Sequence, residues 1–184
     1  MILLLNGPPR TGKSSIIRGL RVRAPGWIAL GVDHLQPTLP PELHPGLGLR
    51  PPPGDIAERP EVEAALPRLW RAALRSIAAH ADEGFSVVAD LSLHTRYPGG
   101  FDPWAILRRE WRDRPHRLVA VSAAPEEVVR RRESTGFPSE LDTVLRWQRA
   151  CDAVPGVEFR LDTTGLSSAQ LADRLISELF PPGG

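Results

Sequence analysis

The sequence predicts an α/β fold in which a parallel sheet is covered by helices on both faces. Short apolar runs alternate with amphipathic stretches along the chain, and most connections between them are short. The first run, MILLLN, is continuously apolar, as expected for a strand that is buried on both faces. The chain has 184 residues, 41% of them hydrophobic and 24% charged, and this composition suits one folded domain over residues 1–184.

The first half of the chain contains three predicted strands and two predicted helices. The strands span 1–6, 27–32 and 85–91, and the helices span 13–23 and 61–82. Apolar residues recur at helical spacing through the second helix, and Pro67 inside it should kink it or delay its start. Eight of the 20 prolines lie between Pro37 and Pro60, which predicts an irregular insertion on the substrate side over 37–60.

The second half adds two strands and four helices, which completes a five-stranded parallel sheet. The strands are predicted over 117–123 and within 156–164, and the helices over 103–113, 125–133, 140–151 and 167–180. Asp102 and Ser167 are suited to cap the first and the last of these helices. The break STGFPSE between two helices predicts a small lid over 130–141.

A phosphate-binding motif follows the first predicted strand. Residues 7–14 read GPPRTGKS and match G-x-x-x-x-G-K-[ST] between a strand and a helix, which is the context that the motif requires. Its glycines let backbone N–H groups surround a phosphate at the helix N-terminus. The motif predicts a three-layer P-loop NTPase fold. The predicted ATP-binding residues here are Gly7, Pro8, Pro9, Arg10, Thr11, Gly12, Lys13, Ser14 and Ser15.

Lys13 is the only lysine among the 23 lysine and arginine residues of the chain. An ammonium is a compact charge that fits between the β- and γ-phosphates of ATP, whereas the larger planar guanidinium of arginine substitutes poorly there. The exception at this position therefore indicates that Lys13 binds phosphate and takes part in catalysis.

Two aspartates are predicted at the carboxyl ends of strands, the edge where open α/β sheets bind ligands. Asp33 ends the second predicted strand and is suited to accept the proton of an acceptor hydroxyl. Asp90 ends the third strand and, together with the hydroxyl of Ser14, is a predicted ligand of Mg²⁺. As an alternative, either aspartate could simply cap a loop.

Two other segments are candidates for contacts with the nucleotide. Arg130, Arg131 and Arg132 close the helix before the lid, where an arginine can neutralise charge on the transferred phosphoryl group. The same cluster could be a solvated helix end that the helix dipole favours. Asp162, Thr163 and Thr164 follow the fifth strand, in a loop that either borders the nucleotide base or forms an ordinary turn.

Composition limits the partners that we expect. A net charge of +1 argues against nucleic acid as a partner and therefore against a polynucleotide kinase. The apolar start MILLLN is too short for a signal peptide or a membrane span, and we expect no membrane association. A single cysteine, Cys151, fits a cytoplasmic protein. The sequence leaves the oligomeric state open.

The chain resembles the chloramphenicol phosphotransferase family of small P-loop kinases. The resemblance rests on LLLNGPPRTGKSSIIRGL, WIALGVDHL, the RRRE helix end and VEFRLDTT, in this order, and it weakens over 37–60 and 92–114. It implies a fold similar to shikimate kinase and nucleoside monophosphate kinases. It also implies that ATP, with Mg²⁺, phosphorylates a hydroxyl of a small molecule, and chloramphenicol is a candidate acceptor among antibiotics.

The resemblance also implies roles for individual residues. The base of the family falls on Asp33, and the arginine that precedes the glutamate at its lid helix falls on Arg132. The family has further arginines beyond that glutamate, whereas STGFPSE has none. Arg130 or Arg131 is therefore a candidate to supply the missing charge in the lid.

Two other functions fit the same motif. A nucleotide or nucleoside kinase would need arginines for the acceptor phosphate, and Arg50, Arg59 and Arg96 are candidates. A regulatory protein that binds a nucleotide without catalysis would not need Asp33 at the γ-phosphate. A GTPase with an NKxD guanine motif is excluded, because Lys13 is the only lysine.

Overall fold

Five parallel strands form the centre of the molecule in the computed structural model, which describes residues 1–44, 46–47, 60–94, 101–136 and 140–180. The strands are β1 (Ile2–Asn6), β2 (Trp27–Gly31), β3 (Ser86–Leu91), β4 (His116–Ser122) and β5 (Phe159–Asp162). Their order across the sheet is β2-β3-β1-β4-β5, so that β1 is central and pairs with β3 and β4. The predicted α/β class and the predicted five-stranded parallel sheet are confirmed.

Seven α-helices surround this sheet within the described residues. They are α1 (Lys13–Arg23), α2 (Val32–Leu35), α3 (Pro60–Asp82), α4 (Pro103–Glu110), α5 (Pro125–Glu133), α6 (Leu141–Asp152) and α7 (Ser168–Leu179). Two 3₁₀ turns, Gln36–Thr38 and Pro41–Leu43, follow α2. None of the helices in the described part of the chain is long and apolar enough to cross a membrane.

Apolar side chains fill the space on both faces of the sheet and so produce three layers. On one face, Trp70 of α3 and Trp111 next to α4 are completely buried in one apolar cluster. On the other face, α1 and α7 pack in a second cluster. These two helices approach so closely that a Cβ at Gly19 would collide with the carbonyl oxygen of Ser168. This packing fixes the position of α1, and therefore of the loop that precedes it.

Several elements differ from their predicted limits. β2 ends at Gly31, and Asp33 lies in the first turn of the short helix α2 rather than at the end of a strand. α3 begins at Pro60 and continues through Pro67, so the alternative that Pro67 delays its start is wrong. A proline early in a long helix is tolerated here because the helix buries one apolar face along its length. α4 ends at Glu110, before the predicted limit at 113.

Some predictions fall on residues outside the described part of the chain. Residues 45 and 48–59 of the insertion are among them, and so are the candidate arginines Arg50, Arg59 and Arg96. In the predicted lid over 130–141, residues 137–139 also lie outside.

Candidate active site

A cleft of about 600 Å³ lies at the carboxyl ends of the strands, beside the loop that joins β1 to α1. The described residues that line it are Pro9, Arg10, Gly12, Lys13, Ser14, Ser15, Arg18, Val32, Asp33, Gln36, Asp90, Ser92, Arg131, Ser134, Thr135, Thr163, Leu166 and Leu171. Much of the predicted phosphate-binding motif and both predicted aspartates are therefore in one cleft. This is the edge at which open parallel sheets bind ligands.

The loop over residues 7–12 has a backbone shape that suits a phosphate. Gly12 precedes α1 with φ +97°, and a Cβ there would press on the side chain of Thr163 at 3.0–3.2 Å. Across the loop, the hydroxyl of Thr11 donates to the carbonyl oxygen of Pro8 at 2.8 Å. The loop ends at the N-terminus of the 11-residue helix α1, where free N–H groups and the helix dipole favour an anion.

Lys13 places one positive charge inside this loop. It is the first residue of α1, and its side chain is only 7% exposed. Its Nζ donates to the carbonyl oxygens of Gly7 at 2.8 Å and Pro8 at 3.0 Å. The same atom lies 3.5 Å from Oδ1 of Asp90. The ammonium is thus held between the loop and a carboxylate at the cleft.

Asp90 and Asp33 present two carboxylates in different environments. Asp90 lies near the end of β3 and is mostly buried, and Asp33 is exposed in α2. Burial raises the pKa of Asp90 above its ordinary value, the charge of Lys13 opposes this rise, and the charge of Asp33 adds to it. A buried carboxylate and an accessible one suit different chemical roles.

The two aspartates are brought together by a close approach of β2 to β3. Gly31 pairs with Asp90 in the sheet, and a Cβ at Gly31 would collide with the carbonyl oxygen of Asp90. Glycine is therefore required by space at this position, and the chain reaches Asp33 two residues later. The segment Gly31-Val32-Asp33 is in this way tied to the position of Asp90.

The oxygen atoms near the loop suit a hard cation. The exposed Ser14 and the carboxylate of Asp90 both line the cleft. Across the described ranges, no group of three or more His, Cys, Asp or Glu side chains could hold a metal ion. Mg²⁺ at nucleotide sites commonly takes one or two protein ligands and completes its shell with phosphates and water. The donor set of Ser14 and Asp90 fits such an ion.

Arg131 connects the wall of α5 to the phosphate loop. Its guanidinium donates to the carbonyl oxygen of Arg10 at 3.2 Å, and to the hydroxyl and carbonyl oxygens of Thr163 at 3.1 and 3.3 Å. Glu127, one turn earlier in α5, accepts a hydrogen bond from its Nε at 2.7 Å. Arg131 therefore lines the cleft with a geometry that the loop and α5 both restrain.

The neighbouring arginines of α5 lie differently. The guanidinium carbon of Arg132 lies 5.3 Å from the ring centroid of Trp147 in α6, the geometry of a cation–π contact. Burial lowers the pKa of Arg132, and the charge of Arg10 lowers it further. Arg130 is largely exposed and pairs with Glu127 at 2.7 Å. Arg131 is the member of the three that lines the cleft, and the predicted role of Arg132 stays a prediction.

The segment from Asp162 to Thr164 joins β5 to its neighbours. Thr163 is completely buried and donates to the carbonyl oxygen of Thr11 at 2.7 Å. Thr164 donates from its hydroxyl and its N–H to Oδ1 of Asp162, and these hydrogen bonds hold the pKa of that carboxyl below its ordinary value. The Thr164 hydroxyl also accepts from the N–H of Ala124 at 2.8 Å. Of these three residues, Thr163 lines the cleft.

Several cleft residues were not identified from the sequence, and Ser92 and Gln36 are two of them. The hydroxyl of Ser92 donates to the carbonyl oxygen of Gly7 at 3.0 Å. Gln36 lines the cleft and its Oε1 accepts from the N–H of Leu47 at 3.1 Å. Neither residue belongs to a recognisable pattern, and the one available signal is that each comes just after an element that carries an aspartate.

Cys151 is not part of the candidate site. It is buried, and burial raises the pKa of its thiol to about 12. A thiol with such a pKa stays protonated near neutral pH and is not a nucleophile.

Comparisons with known proteins identify the family and the fold of the chain. The model of a family described as "Chloramphenicol phosphotransferase-like protein" matches residues 1–179. No curated protein sequence matches the chain significantly.

Among solved structures, a sugar kinase from Janibacter sp. HTCC2649 is 18% identical, with a TM-score of 0.65 over 97% of this chain and 93% of that chain. A tunicamycin resistance protein from Deinococcus radiodurans is 19% identical, with a TM-score of 0.65 over 97% and 95%. A shikimate kinase from Acinetobacter baumannii is 15% identical, with a TM-score of 0.61 over 97% and 92%. These similarities establish the P-loop kinase fold.

Proposed function

This chain belongs to the chloramphenicol phosphotransferase-like family, and from that premise we propose that it transfers the γ-phosphoryl group of ATP to a hydroxyl of a small molecule. One observation carries the proposal. A buried lysine in a phosphate loop, a buried carboxylate and an accessible carboxylate all line the same cleft, namely Lys13, Asp90 and Asp33. Phosphoryl transfer needs charge neutralisation, a metal ligand and a group that accepts a proton, and these three side chains are suited to those tasks.

The loop over residues 7–12 and the first turn of α1 bind the β- and γ-phosphates through backbone N–H groups. The ammonium of Lys13 is already aimed into the loop, where it donates to two carbonyl oxygens. In the reaction it stabilises the negative charge that develops on the bridging oxygen and the transferred group.

Ser14 and Asp90 would hold Mg²⁺, which when bound neutralises charge on the β- and γ-phosphate oxygens. Asp90 must be ionised for this role. Its raised pKa therefore predicts that the site loses metal affinity on the acid side earlier than an ordinary aspartate would.

Asp33 accepts the proton of the acceptor hydroxyl. The acceptor oxygen forms a bond to the γ-phosphorus, the bond from that phosphorus to the bridging oxygen breaks, and ADP leaves. The hydroxyl proton passes to the carboxylate of Asp33. This residue is exposed in α2, so that an acceptor can reach it from solvent.

Arg131 supplies positive charge from the α5 side of the cleft. Arg132, which the family pattern places at the lid, would contribute from its position over Trp147 if the lid moves towards the cleft. Asp162 and Thr164 hold the loop in which Thr163 contacts the phosphate loop.

An antibiotic is the first acceptor class to test. The family description names chloramphenicol, and a protein of the same fold is described as a tunicamycin resistance protein. The decisive experiment incubates the purified chain with ATP and Mg²⁺ and a panel of chloramphenicol, other hydroxylated antibiotics, nucleosides and nucleoside monophosphates. Mass spectrometry then searches for a product that is heavier by one phosphoryl group, with Lys13→Ala as the inactive control.

Each outcome decides between the candidate functions. A phosphorylated antibiotic supports the proposal and names the acceptor. A phosphorylated nucleoside monophosphate replaces it with a nucleotide kinase. Tight ATP binding without any product from the panel would contradict the proposal and favour a regulatory nucleotide-binding protein.

A further inference from the structure

Arg10 has a backbone conformation that arginine rarely adopts. Its φ is +69°, and it is the only residue other than glycine with a positive φ among those that the structure describes. The left-handed region costs a residue with a Cβ on the order of 1 kcal/mol, and it is normally taken by Gly, Asn or Asp. Strain of this kind persists where the surrounding structure imposes it, and it is concentrated at functional sites.

Contacts on both sides impose this conformation. The carbonyl oxygen of Arg10 accepts a hydrogen bond from Arg131 at 3.2 Å. The hydroxyl of the next residue, Thr11, donates to the carbonyl oxygen of Pro8. The carbonyl oxygen of Thr11 accepts a hydrogen bond from the hydroxyl of Thr163. A glycine would satisfy all these backbone contacts without strain. The backbone therefore does not explain why the position carries arginine.

The side chain of Arg10 is a cation at the cleft, and it has no counter-ion among the residues that the structure describes. Arg10 is exposed and lines the cleft, and no acceptor for its guanidinium lies among the described residues. Asp90 is engaged with Lys13, and Glu127 with Arg130 and Arg131. An exposed arginine that lines a cleft already containing Lys13 and Arg131 favours an anion with several charges.

The segment that follows α5 lacks positive charge. The cleft residues that follow α5 are Ser134 and Thr135, and the segment STGFPSE contains no basic residue. This segment therefore adds no cation to the one that Arg131 supplies at the end of α5. Arg10 is placed to add a further positive charge from the loop side.

We propose that the guanidinium of Arg10 contacts the γ-phosphoryl group and neutralises its charge during transfer, so that the phosphate loop supplies a cation in addition to Arg131 of α5. This inference rests on the proposed function, because it requires a nucleoside triphosphate in the loop. A planar fork of N–H donors can hold two phosphoryl oxygens at once, which is the reason for arginine at this position.

The test uses Arg10→Gly and Arg10→Asn, which both accept the left-handed backbone and lack the charge. We expect the Arg10→Gly variant to unfold in urea at a concentration no lower than the wild type, because its backbone strain is relieved. We also expect kcat to fall about 10- to 100-fold in both variants, as for the loss of a charged hydrogen bond in a transition state. Loss of activity without loss of stability separates this role from a structural one.

Binding measurements address the same contact without an acceptor. Calorimetry compares ADP with the non-hydrolysable triphosphate AMP-PNP. Both variants should lose about 10-fold affinity for AMP-PNP and keep their affinity for ADP, because the contact is to the γ-phosphoryl group alone. Arg21→Asn, which removes an exposed arginine at the far end of α1, is the matched control and should change neither affinity.

The outcomes separate this inference from the proposed function. If the wild type phosphorylates an acceptor and both variants keep wild-type kcat and AMP-PNP affinity, the role of Arg10 is refuted while the kinase stands. Equal losses for ADP and AMP-PNP would also refute it, since Arg10 would then bind the inner phosphates. If the wild type produces no phosphorylated compound, the proposed function fails, and a selective loss of AMP-PNP affinity would still support the contact.

Discussion

The ammonium of Lys13 lies 3.5 Å from the carboxylate of Asp90, at the point where β3 ends beside the phosphate loop. Both side chains are mostly buried, with 7% and 13% of their surfaces exposed. The pair does not lower the pKa of Asp90, because the cost of burying its charge outweighs the attraction of Lys13. The ionised form of Asp90 is thus maintained at the expense of stability, as expected for a carboxylate with a role in binding.

Replacing Asp90 with Asn should therefore stabilise the fold at neutral pH. An acid with a raised pKa in the folded state keeps its proton to higher pH than in the unfolded state, so the wild type loses stability as the pH rises from below 3.8 through the folded-state pKa. The gain in free energy of unfolding from Asp90→Asn should be absent at the lowest pH of the series and should reach a plateau above the folded-state pKa of Asp90. Urea unfolding of both proteins over this pH range measures it.

The control for this pH series is Asp152→Asn, which removes an exposed carboxylate paired with Arg160. At neutral pH its free energy of unfolding should differ from that of the wild type by less than about 1 kcal/mol, because the ion pair is exposed. A wild type that instead gained stability over Asp90→Asn on going from acid to neutral pH would contradict the assignment.

Lys13 should not be replaceable by arginine. Its Nζ fits between two carbonyl oxygens at 2.8 and 3.0 Å in a nearly closed space, and a guanidinium is both larger and planar. Lys13→Arg should lower kcat at least about 100-fold, and Lys13→Ala should abolish phosphoryl transfer. Steady-state kinetics measures both, with circular dichroism as a check that each variant is folded. Near-normal turnover by Lys13→Arg would mean that phosphoryl transfer does not require lysine at position 13.

Asp33→Asn should separate catalysis from binding. The side chain is exposed and lies beyond the phosphate loop in α2, so its loss should leave ATP affinity almost unchanged. As the group that accepts the hydroxyl proton, it should contribute about 100- to 10,000-fold to kcat. Calorimetry with ATP and initial rates with the acceptor measure the two effects, and Asp173→Asn on the surface of α7 is the control. Equal losses in affinity and in kcat would assign Asp33 a structural role.

The sequence was sufficient for the parts of the site that are local in the chain. The apolar run of β1, the glycine-rich loop and the start of α1 are consecutive, and each is specified by the residues it contains. Asp90 was also predictable as a residue near the end of a buried strand. The position of Asp33 in a helix was not, because β2 ends where Gly31 meets the backbone of Asp90, a contact between distant segments.

The choice among the arginines of α5 was equally beyond the sequence. Successive residues in a helix point about 100° apart, so that one of three neighbours faces the cleft, and tertiary packing decides which. Here Arg132 makes a cation–π contact with Trp147 of α6, and Arg131 donates a hydrogen bond to the hydroxyl of Thr163. The strained backbone of Arg10 is likewise set by contacts from α5 and from the loop after β5, and no local pattern indicates it.

Thr163 contacts both the phosphate loop and Arg131 of α5, and Thr163→Val tests whether these contacts support binding and stability. Its buried hydroxyl donates to the carbonyl oxygen of Thr11 at 2.7 Å and accepts from Arg131 at 3.1 Å. Valine has nearly the same shape but leaves the Thr11 carbonyl without this donor, which should cost about 1–3 kcal/mol in the free energy of unfolding. Because the loop would also lose its hydrogen bond to the segment after β5, affinity for ATP should fall as well.

The matched control is Thr38→Val, which removes an exposed hydroxyl that donates to the nearby carbonyl oxygen of Leu35 at 2.7 Å. Its stability should change by no more than about 0.5 kcal/mol, since water replaces the lost partner. Urea unfolding and calorimetry with ATP measure all three proteins. If Thr163→Val keeps wild-type stability and affinity, the phosphate loop holds its shape without β5, and the restraint on Arg10 must come from Arg131 alone.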